Sequence, residues 1–230
     1  MLALPILFFV KSKPPTPPSA SAAKLSNVRT EPFLRSVIKL FTNINYIILL
    51  IAFAFLYNVY TSLGAIVGPL VESFGYDQTA TSIFGVVYIG SGLFGSFAHA
   101  IILDRYKKYK LQLVILCVGA TCACGVVLLV LDYEIVPLTA ATLFLLGINV
   151  LPALGVGYST GCVITYPLGE SLTCGVLQMF SSIISFLYTL AMTALLDIKN
   201  WYAIYLLVAS PAIAIIFALI IRVKGKVNDE

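Results

Sequence analysis

The sequence predicts an all-α membrane protein of six transmembrane helices, on three observations. The 230 residues are 60% hydrophobic and only 10% charged, with a mean hydropathy of +1.01, whereas soluble domains carry about 25% charged residues. The apolar residues gather in six runs, at 43–70, 79–103, 111–131, 136–165, 171–196 and 201–222. At about 1.5 Å of rise per residue, each run as a helix is long enough for a hydrocarbon core of about 30 Å. Finally, thirteen of the fourteen Lys and Arg residues fall on one side of these runs, with Lys199 alone on the other. Excess Lys and Arg in short loops marks the cytoplasmic face. The expectation is an integral, multi-pass protein of the plasma membrane or an organelle membrane, with both termini cytosolic.

The elements follow in order. Leu2 to Val10 is apolar but too short to span. No basic residue precedes it and no small-residue cleavage site follows, so it makes a poor signal peptide. Residues 1–10 read as the remnant of a preceding transmembrane helix. Residues 11–42 read as a cytosolic linker, extended through Lys13-Pro14-Pro15-Thr16-Pro17-Pro18-Ser19 because proline lacks a donor N–H and restricts the residue before it. Between Glu31 and Phe41 the pattern turns amphipathic, with Phe33, Leu34, Val37, Ile38 and Phe41 interleaved with Arg35 and Lys39, as suits a short interfacial helix. The bundle then occupies 43–222, joined by loops mostly too short for anything but antiparallel neighbours. Residues 223–230 are a cytosolic tail.

Several classes of function fall away. The net charge of +4 is spread over helix ends rather than along a stripe, which argues against nucleic acid and for contact with anionic membrane lipid. The five cysteines lie in or beside the apolar runs, and Cys122-x-Cys124 has no second ligand pair, so neither metal nor cofactor is expected and buried thiols are the default. One histidine and no paired carboxylates leave no catalytic residues to propose; the chain reads as no enzyme. No Asp, Glu, Lys or Arg lies in the middle of a span, where proton-coupled carriers usually keep one, so facilitated diffusion is the expected mode.

Neutral polar residues remain, and they form stripes. Gln178, Ser181, Ser182, Ser185 and Thr189 recur on one face of the fifth run. Tyr57, Tyr60, Thr61, Gly64 and Gly68 do so in the first, with Asn58 beside them, and Tyr88, Ser91, Gly92, Gly95 and His99 in the second. Hydrocarbon offers a polar face no partners, so each must turn to protein or to a water-filled cavity. The glycines read first as close helix packing, in the pairs Gly64/Gly68, Ser91/Gly95 and Gly157/Gly161. His99 reads as a satisfied packing or lipid-interface residue rather than a proton relay. Bulky polar groups are not needed for packing, so Tyr57, Asn58, Tyr60, Thr61, Gln178 and Ser182 are the candidate cavity lining. Asn149, beside the helix-kinking Pro152, is a further candidate.

Two motifs resemble a known family. Ala100-Ile101-Ile102-Leu103-Asp104-Arg105-Tyr106-Lys107-Lys108 is similar to the G-x-x-x-D-R-x-x-R/K signature of major facilitator superfamily transporters, with Ala100 in place of glycine. Ile164-Thr165-Tyr166-Pro167-Leu168-Gly169-Glu170, followed by Cys174-Gly175-Val176-Leu177, resembles the junction between helices ten and eleven of the feline leukaemia virus subgroup C receptor-related transporters. The stretch 13–19 looks like their linker after helix six. The resemblance implies the C-terminal half of a twelve-helix fold, with Asp104 and Arg105 as a cytoplasmic gate. It implies a small organic substrate of the choline/ethanolamine or haem class. The partner would be a missing N-terminal six-helix half or a second copy. This chain departs from the family pattern: two glutamates before T-Y-P are replaced by Ser159 and Val163, a glutamine of the eleventh helix aligns with Ser182 while Gln178 lies a turn earlier, and an aromatic pair falls on Tyr60 and Thr61. The expected mechanism is alternating access at a midplane site; the alternative is a truncated, non-transporting half or a membrane interaction scaffold.

Overall fold

The computed structural model of the protein describes residues 33–221; the stretches 1–32 and 222–230, with the expected helix remnant, most of the linker and the tail, lie outside them. The described residues form seven α-helices: α1 (Phe33–Thr42), α2 (Ile44–Glu72), α3 (Gln78–Tyr106), α4 (Tyr109–Val130), α5 (Val136–Thr165), α6 (Glu170–Ile198) and α7 (Asn200–Ile220). A 3₁₀ turn, Leu131–Tyr133, follows α4. Six of the helices, α2 to α7, are long and apolar enough to cross a membrane. They match the six apolar runs to within a few residues at each end.

Local chemistry sets the boundaries. Asn43 caps α2 by accepting a hydrogen bond from the Asn45 N–H at 3.1 Å, the geometry that satisfies an orphan donor of a helix's first turn. The same side chain donates to the Ile164 carbonyl at 3.3 Å, which fastens the start of α2 to the end of α5. After α2 the chain turns at Gly75, whose φ of +86° is left-handed and costs a side chain dearly. α3 stops where Lys107 turns left-handed and its N–H caps the Leu103 carbonyl at 2.8 Å.

Long-range hydrogen bonds show which ends lie together. Tyr46 donates to the Thr173 carbonyl at 2.8 Å and Lys110 to the Leu219 carbonyl at 2.7 Å; these bonds gather the start of α2, α4 and α6 with the end of α7. The lysine also places positive charge at a helix C-terminus, where the dipole favours it. At the opposite end the Tyr76 hydroxyl meets Thr139 Oγ1 at 2.6 Å, and Asn200 donates to the Ser73 carbonyl at 3.1 Å. Arg35, Lys39, Arg105, Lys107, Lys108 and Lys110 thus share one end of the bundle, and Lys199 sits at the other. The first is called the basic end below.

α2 runs through the centre, packing on α3, α5, α6 and α7, and is the most buried of the spans. Tyr46, Leu49, Phe53, Leu56 and Leu63 put one side of α2 wholly in the core. α5 packs most heavily on α3, then on α4. α6 is the least buried span, with Ile183, Phe186, Leu187 and Leu190 exposed. The amphipathic segment lies in α1, where Leu40 is buried, Phe33, Leu34 and Ile38 are exposed, and the Phe41 ring lies 5.1 Å from that of Phe180 on α6.

The glycines divide. Gly64 has nothing within 4 Å of where a Cβ would stand, whereas a Cβ on Gly68 would meet Thr81 Cγ2 of α3 at 3.7 Å, an ordinary contact rather than a tight seam. On α3 the reverse holds. A Cβ on Gly95 would sit 2.7 Å from the Ile148 carbonyl oxygen, 2.9 Å from its Cα and 3.1 Å from Pro152 Cγ. Gly92 would strike Leu151, and Gly147, on α5, would strike Ser91 and the Tyr88 carbonyl. α3 and α5 therefore touch backbone to backbone, as small residues allow in membranes. Pro152 lies inside α5, which runs unbroken from Val136 to Thr165.

Gly95→Ala should lower the apparent melting temperature in detergent, because backbone atoms cannot yield and overpacking costs about 1–3 kcal/mol. Gly90→Ala, on the same helix with nothing within 4 Å, should leave it unchanged or raise it through helix propensity.

Candidate functional site

Most hydroxyls in the spans are satisfied within their own helix. Ser62, Ser96, Thr121, Thr160 and Thr193 each donate to the carbonyl four residues back, an arrangement common to Ser and Thr inside helices. Others reach across helices, and one group of them meets at Gln178.

Gln178 uses both ends of its amide. Nε2 donates to the Tyr57 hydroxyl of α2 at 2.7 Å and to Ser182 Oγ, one turn on, at 3.3 Å. Oε1 accepts from the Tyr158 hydroxyl of α5. Ser182 Oγ also donates to the Tyr57 hydroxyl at 3.5 Å. One residue thus joins α2, α5 and α6. A turn further along, the hydroxyls of Thr61 and Ser185 are paired, and Thr61 also donates to the Tyr57 carbonyl at 2.9 Å.

The walls are aromatic. The Phe53 ring is stacked 6.1 Å from Tyr57 and tilted 5.0 Å from Tyr158, and Tyr60 lies 6.2 Å from Tyr57. Phe53 is fully buried and packs on Gly157, where no side chain could stand. Tyr57, Tyr60, Thr61, Tyr158 and Gln178 are half-buried, and Ser182 is exposed. The cluster therefore presents itself on a face of the bundle, with Tyr57 at the middle of a membrane-spanning helix.

Five of the seven expected lining residues come together here: Tyr57, Tyr60, Thr61, Gln178 and Ser182. Asn58 does not. It is 1% exposed, and neither its Nδ2 nor its Oδ1 has a partner among the described residues. One residue along a helix is about 100° of rotation, which carries it off the face that Tyr57 occupies and into the bundle. Asn149 is separate too: it donates to the Leu145 carbonyl at 2.7 Å, and its Oδ1 lies against Gly119 of α4. Tyr158 was not among the expected residues, although a tyrosine hydroxyl deep in a span needs a partner as an amide does. Asked of the fourth run, that question points to it.

Asp104 and Arg105 are exposed at the basic end of α3. Asp104 borders a second cleft of about 170 Å³ between α3 and α5, lined also by Ser96, His99, Pro152 and Ser159. His99 is held from α4: Gln112 Nε2 donates to its carbonyl at 2.6 Å and stands 3.2 Å from its Nδ1. Among the described residues no group of three or more His, Cys, Asp or Glu is placed to hold a metal ion. The cysteines divide: Cys117 and Cys124 are buried, Cys122 is exposed, and Cys162 and Cys174 are half-buried.

Residues 1–173 match the family described as the Major Facilitator Superfamily. The curated proteins the chain is similar to include solute carrier family 49 member A3 of Xenopus tropicalis, 30% identical over 177 residues, which are 76% of this chain and 36% of that protein. An uncharacterized MFS-type transporter of Caenorhabditis elegans is 27% identical over 201 residues, 86% of this chain and 33% of that protein. The human choline/ethanolamine transporter FLVCR2 is 24% identical over 204 residues, 86% of this chain and 38% of that protein. The chain therefore spans about a third of the length of these relatives. With six membrane-spanning helices, half of such a fold, the chain belongs to the major facilitator superfamily of transporters.

Proposed function

We propose that this chain supplies one half of an alternating-access carrier, and that its solute pathway runs along the face of α2, α5 and α6 that Gln178 holds together. The carrying observation is the partly exposed network of Tyr57, Tyr158, Gln178 and Ser182 within the spans, with Tyr57 and Ser182 near mid-helix and Tyr158 and Gln178 about two turns from the basic end. Hydrocarbon cannot satisfy such a face, so it requires water, solute or protein opposite it. The other half of the carrier, an N-terminal six-helix half or a second copy, would complete the pathway.

The cargo we infer is a small organic amine of the choline/ethanolamine class. Three tyrosines around a neutral amide offer π faces to a cation, while Gln178 and Ser182 supply oxygens to orient a hydroxyl. The names of several similar proteins lend support to this class. Haem is supported less well, since the chain's one histidine is engaged with Gln112. With no Asp, Glu, Lys, Arg or His in the cluster, movement down a gradient is the simplest mode.

In this proposal the basic end faces the cytosol, following the rule that Lys and Arg collect there, in the plasma membrane or an organelle membrane. Asp104 and Arg105 brace the closed state against the other half. The division into a helix remnant at 1–10, a linker at 11–42, the bundle at 43–222 and a tail at 223–230 belongs to the same proposal.

Vesicles containing this chain together with an N-terminal half should accumulate radiolabelled choline saturably. If both halves insert and no uptake of choline, ethanolamine or haem occurs, the carrier reading is wrong and a non-transporting scaffold takes its place. Gln178→Leu, which keeps bulk but removes the amide, should reduce uptake about tenfold or more, the equivalent of about 1.4 kcal/mol of lost binding. Leu187→Ala, on the opposite side of α6, should leave uptake near wild type in the same assay.

A further inference from the structure

Two thiols face each other across the junction of α5 and α6. Cys162, near the end of α5, and Cys174, near the start of α6, have their sulfurs 3.5 Å apart. Both are free and half-buried. Their places are tied to the candidate site. Cys162 follows Tyr158 by one turn and Cys174 precedes Gln178 by one turn, so the pair lies under the Tyr158–Gln178 hydrogen bond, about 5.4 Å nearer the basic end. The next contacts toward that end hold the seam shut: the hydroxyls of Thr165 and Thr173 are 2.8 Å apart, and Tyr46 donates to the Thr173 carbonyl at 2.8 Å.

We propose that Cys162 and Cys174 form a reversible dithiol–disulfide site that clamps α5 to α6 beneath the cluster. A disulfide has its sulfurs about 2.05 Å apart, so closure from 3.5 Å asks the two sulfurs to approach by about 1.5 Å between helices already held in contact. A hydroperoxide can supply the oxidising equivalents. One thiolate attacks a peroxide oxygen, breaking the O–O bond and giving a sulfenic acid and, for hydrogen peroxide, water. The second thiolate attacks that sulfur and expels the oxygen as a second water. The sum is two thiols and one peroxide to one disulfide and two waters, with two electrons passing from sulfur to oxygen. Thiol–disulfide exchange with two small cytosolic thiols reverses it, returning both protons to the cysteines. With the basic end in the cytosol, the pair rests reduced and closes under oxidising conditions. The other three cysteines lack this arrangement: Cys117 and Cys124 are buried, and Cys122 faces outward with no sulfur beside it.

The test uses the full chain in membrane vesicles, treated with hydrogen peroxide, unfolded in detergent, and reacted with a maleimide before peptide mass analysis. Labelling at Cys162 and Cys174 should be lost together and restored by dithiothreitol. A linked peptide pair lighter by two hydrogen atoms should appear, and the oxidised chain should melt at a higher temperature than the reduced one. In Cys162→Ser, Cys174 should enter no intramolecular link and the melting shift should vanish. Persistent labelling of both cysteines in the wild-type chain, their separate oxidation, or a linked form that melts no higher would each overturn the proposal.

Discussion

A carboxamide inside a membrane has two N–H donors and one carbonyl acceptor to satisfy, and hydrocarbon offers them no partner. Gln178 meets that demand from three directions, through Tyr57 on α2, Tyr158 on α5 and Ser182 on its own helix. The relative rotation of three helices follows from it, since turning any one of them would orphan a polar atom. Cross-helix hydrogen bonds of this kind are worth about 0.6 kcal/mol each on average, with a maximum of about 1.7. Their sum is small beside the packing of six apolar helices. They specify register rather than supply bulk stability.

The same logic recurs along α2 and α6. Tyr46 meets Thr173, Tyr57 meets Gln178, and Thr61 meets Ser185, a ladder in which both helices run in the same direction from the basic end. α3 and α5 are joined differently, by glycines that let backbones touch at Gly95 and Gly147. One interface is close-packed at its glycines and opens into a cleft toward the basic end, and the other is polar and open on one side. In the proposed carrier half the first would serve as a stiff body and the second as the face that meets solute or water.

The six spans were legible because their signals are collective. Length, hydropathy and the sidedness of Lys and Arg each sum over many residues, and no single contact can overturn them. The polar face of α6 was legible for a related reason: helical spacing places Gln178 and Ser182 together whatever lies opposite. What lies opposite was not legible. Asn58 neighbours Tyr57 in sequence yet points into the bundle, and Asn149 turns toward Gly119 of α4, because spacing within one helix carries no information about the rotation of the next. Tyr158 escaped for the same reason, since its role exists only through Gln178. Gly64 was expected in a packing seam and stands in open space, whereas Gly147, in no small-xxx-small pair singled out from the spacing, is one that packs. The sulfurs of Cys162 and Cys174 meet across an interhelical turn and form no local spacing motif.

The central claim is that the Gln178 face opens to water rather than to lipid, and cysteine accessibility addresses it directly. In a chain otherwise free of cysteine, paired with an N-terminal half in sealed vesicles, Ser182→Cys and Leu187→Cys would be exposed to a charged, water-soluble thiol reagent. The two positions are nearly opposite around α6, at about 100° per residue, and both side chains are exposed in the bundle. The account predicts that Ser182→Cys reacts, that choline slows the reaction, and that Leu187→Cys stays inert. Reaction at Leu187→Cys with none at Ser182→Cys would contradict it.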